Sequence, residues 1–552
     1  MSKGNKLGDK PTKDEDLRMW SAIVFVIILF VIGVPLWWHL TTVERVDLPT
    51  SRIERLNRTL TLVHTNISVI TGDEELSRRL VQELTQSLQD STILKYHIEA
   101  GTLPKDLALS PKVLEATPGI HPQRPGVYQL VLCPELESKR VLFGAHRTLY
   151  FSKNVDIPTL SRAISANLLQ EPLLLQAQSA ITPPDVTLRN RTQPPQDPET
   201  LRRVRLSSRF DLILTAIVPD PDRIRVDWDF GVAANGYIQP LLDQLSLMSN
   251  YSIKSQWLYH VDLEQTPTKT KENVHLISHK QMSHIVSSLE NKLGSYASKN
   301  PCIHLVLYVT ECDHVPMFFT DGDLASPAII SDRWGSIQIV NPDATANCKA
   351  GEEFRPEAHP VMSVFLNDLK QLLGVKNAKT MSDIDVVPYN AALLTDWEID
   401  ALFRIRTVEQ ITSSKLTLSS LIQLLDQISN IVITSQVGDA VLSAVQHAEH
   451  TQSALDLSDL GSALTLSREA FNQSEAAFTH PSLLALLYFP DDQKYAVYIP
   501  LFLPVMIPVI LSLHAIIDWV KKKLPENVLQ HIQLPCIPDQ TQLYDNADEK
   551  ED

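Results

Sequence analysis

The sequence has no Walker loop, no GxSxG elbow and no HExxH helix, so the common signatures of nucleotide binding, serine hydrolysis and zinc proteolysis are missing. Its five cysteines form no CxxC pair and no zinc spacing, which argues against a metal ribbon or a thioredoxin-like site. Basic charge is also short. Lys and Arg total 49 against 65 Asp and Glu, a formal net charge of −16, and no basic stripe is present to neutralise a phosphate backbone. A nucleic-acid partner is not expected.

What is present is a folded composition, 44% apolar and 21% charged, in 552 residues, enough for two to four ordinary domains. Two runs break the globular pattern. Trp20 to Trp38 carries no formal charge, and a bilayer core of ~30 Å needs ~20 such residues in a helix. Trp37 and Trp38 close it as amphipathic rings at a membrane boundary do. A cleaved signal would have a shorter apolar core and small residues after it, whereas Pro35-Leu36-Trp37-Trp38-His39 follows here. An uncleaved anchor over 19–38 is expected. The second run, Tyr495 to Ile517, carries Pro500, Pro504 and Pro508 at four-residue steps on one helix face. Each proline costs ~3 kcal/mol in a soluble helix interior. In a membrane, neighbouring helices re-satisfy the freed carbonyls, so the stripe points to packing against other spans. The bland alternative is a kinked solitary helix.

Lys521, Lys522 and Lys523 follow the second span, which puts both termini, 1–18 and 518–552, in the cytosol and the middle in the lumen. Five Asn-x-Ser/Thr triplets fall in that middle, at Asn57, Asn66, Asn190, Asn250 and Asn472, and are candidate glycan acceptors.

Within the lumenal region the expected fold is α/β with a mostly helical C-terminal part. In 39–206, Leu60–Ile70 and Val127–Leu132 read as strands and Ser77–Leu88 as a helix, with a proline-rich boundary over 172–206. In 207–390, Phe210–Ile217, Ser252–Tyr259, Ile303–Val309 and Ser336–Val340 read as strands. Tyr237–Leu247 and Val361–Leu373 read as helices, the latter stopped by Gly374. Over 391–480 glycine and proline nearly vanish, and several packed helices are expected. A short apolar stretch over 481–494 reads equally as a membrane-surface segment or a core helix.

Three constellations bear on chemistry. Cys312-Asp313-His314 follows a buried strand, but a histidine two residues along must bend back to activate the sulfur. A structural or disulfide cysteine is the expectation, with Cys133, Cys302 and Cys348 as possible partners and the pairing open. The alternative is a lumenal thiol hydrolase. His275 and His279 share a helix face if the segment is helical, with His284 nearby, but no third ligand stands in a supporting position; a solvated helix is expected. Asp227-Trp228-Asp229 reads as a hydrated strand edge, since alternation puts the two acids too close for a glycosidase pair. No catalytic residue, metal or cofactor is expected.

His480-Pro481-Ser482-Leu483-Leu484-Ala485-Leu486-Leu487-Tyr488-Phe489-Pro490-Asp491-Asp492-Gln493-Lys494, running on through Pro504, resembles the PIG-S family of GPI transamidase subunits. So do Gly33-Val34-Pro35-Leu36-Trp37-Trp38, Asp227-Trp228-Asp229 with Tyr237-Ile238-Gln239-Pro240, Arg333-Trp334-Gly335, and Thr395-Asp396-Trp397-Glu398-Ile399-Asp400. Between 44 and 205 the similarity is only general. The resemblance implies an endoplasmic reticulum membrane protein in a complex that replaces a C-terminal signal with a GPI lipid. It implies a caspase-like catalytic subunit, PIG-T, PIG-U and a subunit of metallopeptidase-like fold as partners, and an accessory, non-catalytic role for this chain. A free-standing membrane receptor is the remaining alternative. The polar tail Asp545 to Asp552 argues against the chain being a GPI-anchored precursor itself.

Overall fold

The computed structural model describes residues 13–41, 45–102, 109–136, 140–179, 202–322, 324–343, 348, 353–376, 384–386, 393–427, 431–484 and 491–523. They form two units, one of Met1–Arg45, Ile428–Thr434 and Pro481–Asp552, the other of Val46–Gln427 and Ser435–His480.

The first unit holds the two apolar helices. Lys13–Ile28 continues through a π turn, Leu29–Gly33, into Val34–Thr41. Pro35 has no N–H to offer the carbonyl four residues earlier, and the helix widens in the turn before it. The 23 residues Leu17–His39 are long and apolar enough to cross a membrane, and none of that stretch is buried. The second helix, Asp491–Lys523, keeps Pro500, Pro504 and Pro508 inside it, all three exposed. Trp37 and Phe502 meet edge to face with ring centroids 5.3 Å apart.

The second unit is an α/β body built twice on one plan. Its first sheet contains β1 (Val63–Ile70), β2 (Leu94–Ala100), β3 (Val127–Leu132), β4 (Val141–Phe143) and β5 (Thr148–Phe151). The later strands are β6 (Arg209–Val218), β7 (Arg225–Val226), β8 (Asn250–Tyr259), β9 (Thr268–Lys269), β10 (His275–Ser278), β11 (Cys302–Val309), β12 (Met317–Asp321), β13 (Leu324–Ser326), β14 (Ala328–Ser331), β15 (Gly335–Val340), β16 (Glu353–Phe354) and β17 (Ile384–Val386). The first sheet runs β17-β4-β5-β3-β1-β2 and the second β14-β15-β11-β6-β8. Without β17, each follows one scheme. The first strand lies centrally, the second on one side and the third on the other, and an antiparallel pair closes the far edge. β17 comes from the second stretch of sequence yet joins the first sheet beside β4. β9, β10, β12 and β13 make a separate four-stranded sheet.

The strands form where the sequence favours burial on both faces. Phe210 to Val218 in β6 and Ile303 to Val309 in β11 are buried without a break, as parallel strands covered by helices are. Gly335 opens β15 because a Cβ there would run into the backbone of His304 on β11. The helix Ala358–Leu373 ends on Gly374 in the left-handed region, φ 96°, a conformation that costs glycine little.

Among the described residues of 393–480 there are three helices. Asp396–Gln427, called here the central helix, is capped by Thr395, whose N–H and hydroxyl both donate to Glu398 at 2.8 Å. Ser435–Asp456 and Leu460–Phe478 follow, and both sheets share one apolar core with these helices. Two expectations need correction. Pro172 stands in the first turn of a helix, Glu171–Ser179, where its missing N–H is tolerated, so that helix reaches into the expected boundary; the other prolines of the boundary lie outside the described residues. The helix expected from Tyr237 begins earlier, at Phe230, because the Asp229 carboxylate accepts from the Val232 N–H and caps it.

Asp368, on the helix over the second sheet, is 4% exposed, and its Oδ2 has no hydrogen-bond partner among the described residues. Burial pushes its carboxyl up to about 6 from 3.8. Between about pH 4 and 6 the folded chain keeps a proton that the unfolded chain releases, so stability falls as pH rises through that window. Asp368→Asn should remove the fall, leaving the variant more stable by at most about 3 kcal/mol at pH 7 and little changed at pH 4. Thermal unfolding of the detergent-solubilised chain at both pH values checks this.

Candidate functional site

The candidate chemistry does not assemble. Cys312 is bonded to Cys348, so its sulfur is no nucleophile, and His314 turns instead to Glu311 at 3.2 Å. Cys133 is buried, and burial pushes its thiol up to about 12; Cys302 is half-buried and pushed up by the same cause. The thiol-hydrolase alternative therefore loses its residue. The histidine expectation is also corrected. His275 lies buried in β10, not in a helix, while His279 and His284 are exposed on a 3₁₀ turn and on the helix Met282–Glu290. Alternation of buried residues in Val274–Ile277 made it a strand. Asp227 and Asp229 fall just past β7 and not on a strand edge: Asp227 pairs with Arg355 at 2.8 Å, and Asp229 caps a helix.

The body instead concentrates its charge where the central helix meets the edge of the first sheet at which β3 and β5 begin. Asp400, fully buried, accepts from Arg147 Nε at 2.7 Å and Nη2 at 2.8 Å, from the Gly126 N–H at 3.0 Å and from the Tyr128 hydroxyl at 3.1 Å. Arg404, one helical turn on, donates to the same hydroxyl at 2.6 Å and lies over the Tyr128 ring. Burial raises the Tyr128 phenol well above its ordinary value, so it remains a neutral donor. Trp397 packs on Phe143 and donates its indole N–H to the Gly144 carbonyl at 3.0 Å.

Beside this network, ligand atoms of Glu115, His121 and His146 lie within 4.8 Å of one another. They are engaged already. His121 Nε2 donates to the Leu114 carbonyl at 3.0 Å, which fixes the tautomer and leaves Nδ1 to accept from Thr148 at 2.7 Å. Glu115 accepts from the Ala145 N–H at 3.1 Å and from Tyr150 at 2.8 Å, and His146 faces Asp396 at 3.0 Å. Burial lowers the His121 imidazole pKa, favouring the neutral ring these bonds require. A metal would have to break this set, so the trio is read as structural.

Comparison with known proteins supplies what this geometry lacks. A family model described as "Phosphatidylinositol-glycan biosynthesis class S protein" matches residues 24–523, from inside the first apolar helix to the end of the second. The chain belongs to the PIG-S family. The mouse protein named "GPI-anchor transamidase component PIGS" is 33% identical over 546 residues, covering 92% of this chain and 97% of the relative. The human protein of the same name is 32% identical over 529 residues, 89% and 94% of the two chains. A "GPI transamidase component PIG-S homolog" from Schizosaccharomyces pombe is 26% identical over 533 residues, 95% and 87%.

In this PIG-S family member, the motifs that carry the resemblance sit at structural joints. Thr395 to Asp400 starts the central helix and holds its buried carboxylate; Arg333-Trp334-Gly335 makes the turn into β15. Of the sequons, Asn250 is exposed at the start of β8, while Asn66 lies half-buried in the middle of the first sheet and accepts from Ser458 at 3.2 Å. Asn57 and Asn472 are half-buried on helices, and Asn190 lies outside the described residues, as does most of the surface segment Ser482–Asp492. No local pattern announces the Arg147–Asp400 pair, whose partners are 253 residues apart.

Removing one partner of a buried pair strands the other charge, at ~3–5 kcal/mol. Arg147→Met should therefore destabilise the chain by that order, and Arg147→Met with Asp400→Leu should recover most of it. Denaturant unfolding of the three full-length proteins in detergent measures both effects.

Proposed function

We propose that this chain is a non-catalytic component of the GPI transamidase, held in the endoplasmic reticulum membrane by its two apolar helices. The observation that carries the reading is the family match along 24–523, together with relatives named as components of that enzyme. In this reading both termini are cytosolic and the α/β body is lumenal; the Cys312–Cys348 disulfide suits that oxidising compartment. Catalysis is left to a caspase-like partner. PIG-T, PIG-U and the subunit of metallopeptidase-like fold complete the assembly around this scaffold.

The prolines give the second helix its part. Pro504 leaves the Pro500 carbonyl without an intrahelical donor, and Pro508 does the same to Pro504, so one exposed face carries unpaired acceptors. In hydrocarbon those groups call for donors or close-packed helices from other subunits. Replacing Pro500, Pro504 and Pro508 together by Leu should leave the chain in the membrane but reduce recovery of its partners.

Affinity purification of the tagged chain in mild detergent tests the whole reading. The caspase-like subunit and the other components should come with it in similar amounts. Recovery of the chain alone, from cells that anchor GPI proteins normally without it, would sink the proposal. Cys312→Ser should lower the amount of folded chain, since losing such a bridge costs ~2–4 kcal/mol, while GPI attachment per folded complex stays unchanged. Among the sequons, Asn250→Gln should abolish one glycosidase-sensitive mobility step and Asn66→Gln none, because the first side chain is open to solvent and the second is tied down within the sheet.

A further inference from the structure

A cavity of about 330 Å³ opens on the body where the chain entering the second α/β half passes the central helix. Four guanidinium groups line it, Arg203, Arg205, Arg333 and Arg406, against one carboxylate, Glu409. That is a surplus of three positive charges in a chain whose net charge is −16. The surplus is built in. Glu409 is shared between Arg203 at 2.9 Å and Arg406 at 3.2 Å, with all three side chains largely buried. Arg205 and Arg333 are exposed and have no ion-pair partner among the described residues.

Separate elements hold the group together. The Arg333 N–H donates to the Arg202 carbonyl at 3.0 Å, and the Val204 N–H to the Leu372 carbonyl at 2.9 Å, so the turn at Arg333, the segment 202–204 and the end of the helix Ala358–Leu373 are fixed to one another. Gly374 lets Arg203 pass, because a Cβ at that position would collide with its side chain. Two buried polar atoms at the site lack hydrogen-bond partners, Arg203 Nε and Thr412 Oγ1, and Thr412 is 3% exposed. Leaving such groups unsatisfied costs ~1–3 kcal/mol each, and a small rotation of either side chain toward an anion in the cavity would relieve that cost.

We propose that this cavity binds the phosphoryl group of a phosphate ester. A dianion with three terminal oxygens matches a surplus of three charges and several planar forks better than a carboxylate does. Leu206 and Leu416 at the wall offer an apolar surface to the carbon part of the ester. None of the residues lining it belongs to the buried Asp400 network.

The test uses the full-length chain in phosphate-free detergent, with inorganic phosphate as the soluble probe and vesicles containing phosphatidic acid, whose headgroup is a phosphomonoester, against pure phosphatidylcholine vesicles, as the lipid probe. Phosphate should raise the thermal unfolding midpoint saturably, where sodium chloride of equal ionic strength does not. Arg205→Ala with Arg333→Ala, both exposed, should weaken the binding about a hundredfold, near tenfold per lost charge-assisted contact. Saturation by phosphate alone assigns a soluble ester. Retention on the phosphatidic-acid vesicles that the double variant loses assigns a lipid headgroup. If the double variant shifts the baseline midpoint, Arg205→Ala alone carries the comparison. The proposal is overturned if neither probe acts beyond matched salt and pure phosphatidylcholine, or if the variants bind as the parent does.

Discussion

A carboxylate with no exposed surface is stable only where enough donors surround it, and Asp400 has four. Those donors come from the rim of the first sheet, so meeting Asp400 fixes the rotation and height of the central helix against that sheet. The same helix then reaches the rest of the body. Arg406 donates to the Leu373 carbonyl at the end of the second half's covering helix, and Glu409 holds Arg203. Farther along, Lys415 donates to the Thr59 carbonyl and to Thr61 at 2.9 and 3.1 Å. Burial pulls the Lys415 ammonium down to about 8, a sign of how far the helix lies inside the body.

Around that axis the two sheets repeat one strand order. In open α/β sheets ligands favour the carboxyl ends of the strands where the order reverses. Here those ends are taken by structure. After β1, Thr71 bonds to Ser77 and Asp73 caps the helix Glu74–Leu88; after β11, the chain enters the Cys312–Cys348 bridge. The arginine-lined cavity lies elsewhere, on the central helix, and was formed by packing and not by the strand ends.

The sequence exposed much of this fold. Fully apolar strands such as β6 and β11, the helix stopped by Gly374 and the two uncharged spans each advertise themselves within a single window, because their burial is set by local pattern. The central helix did so only in part. From Asp400 to Val408 every residue is buried, including Asp400, Arg404 and Arg406, so it has no polar face for periodicity to find. His275 was misplaced for a related reason: four residues of alternating burial in a short strand look like one helical turn when only the histidines are counted. The shared strand order of the two halves also leaves no repeat that the residues announce.

By itself, then, the sequence determined the two membrane-length helices, the α/β class of the body, the helical C-terminal part and, through long distinctive motifs, the family. These are properties of contiguous residues, whose hydrophobicity and turn chemistry act over one helix or strand. Only the tertiary structure decided which cysteines pair, that Asp400 and Arg147 meet, that Asp227 goes to an ion pair and Asp229 to a helix cap, and that four arginines from three separate segments face one cavity. Those outcomes depend on distances across the fold between residues up to hundreds of positions apart, and local chemistry carries no record of them.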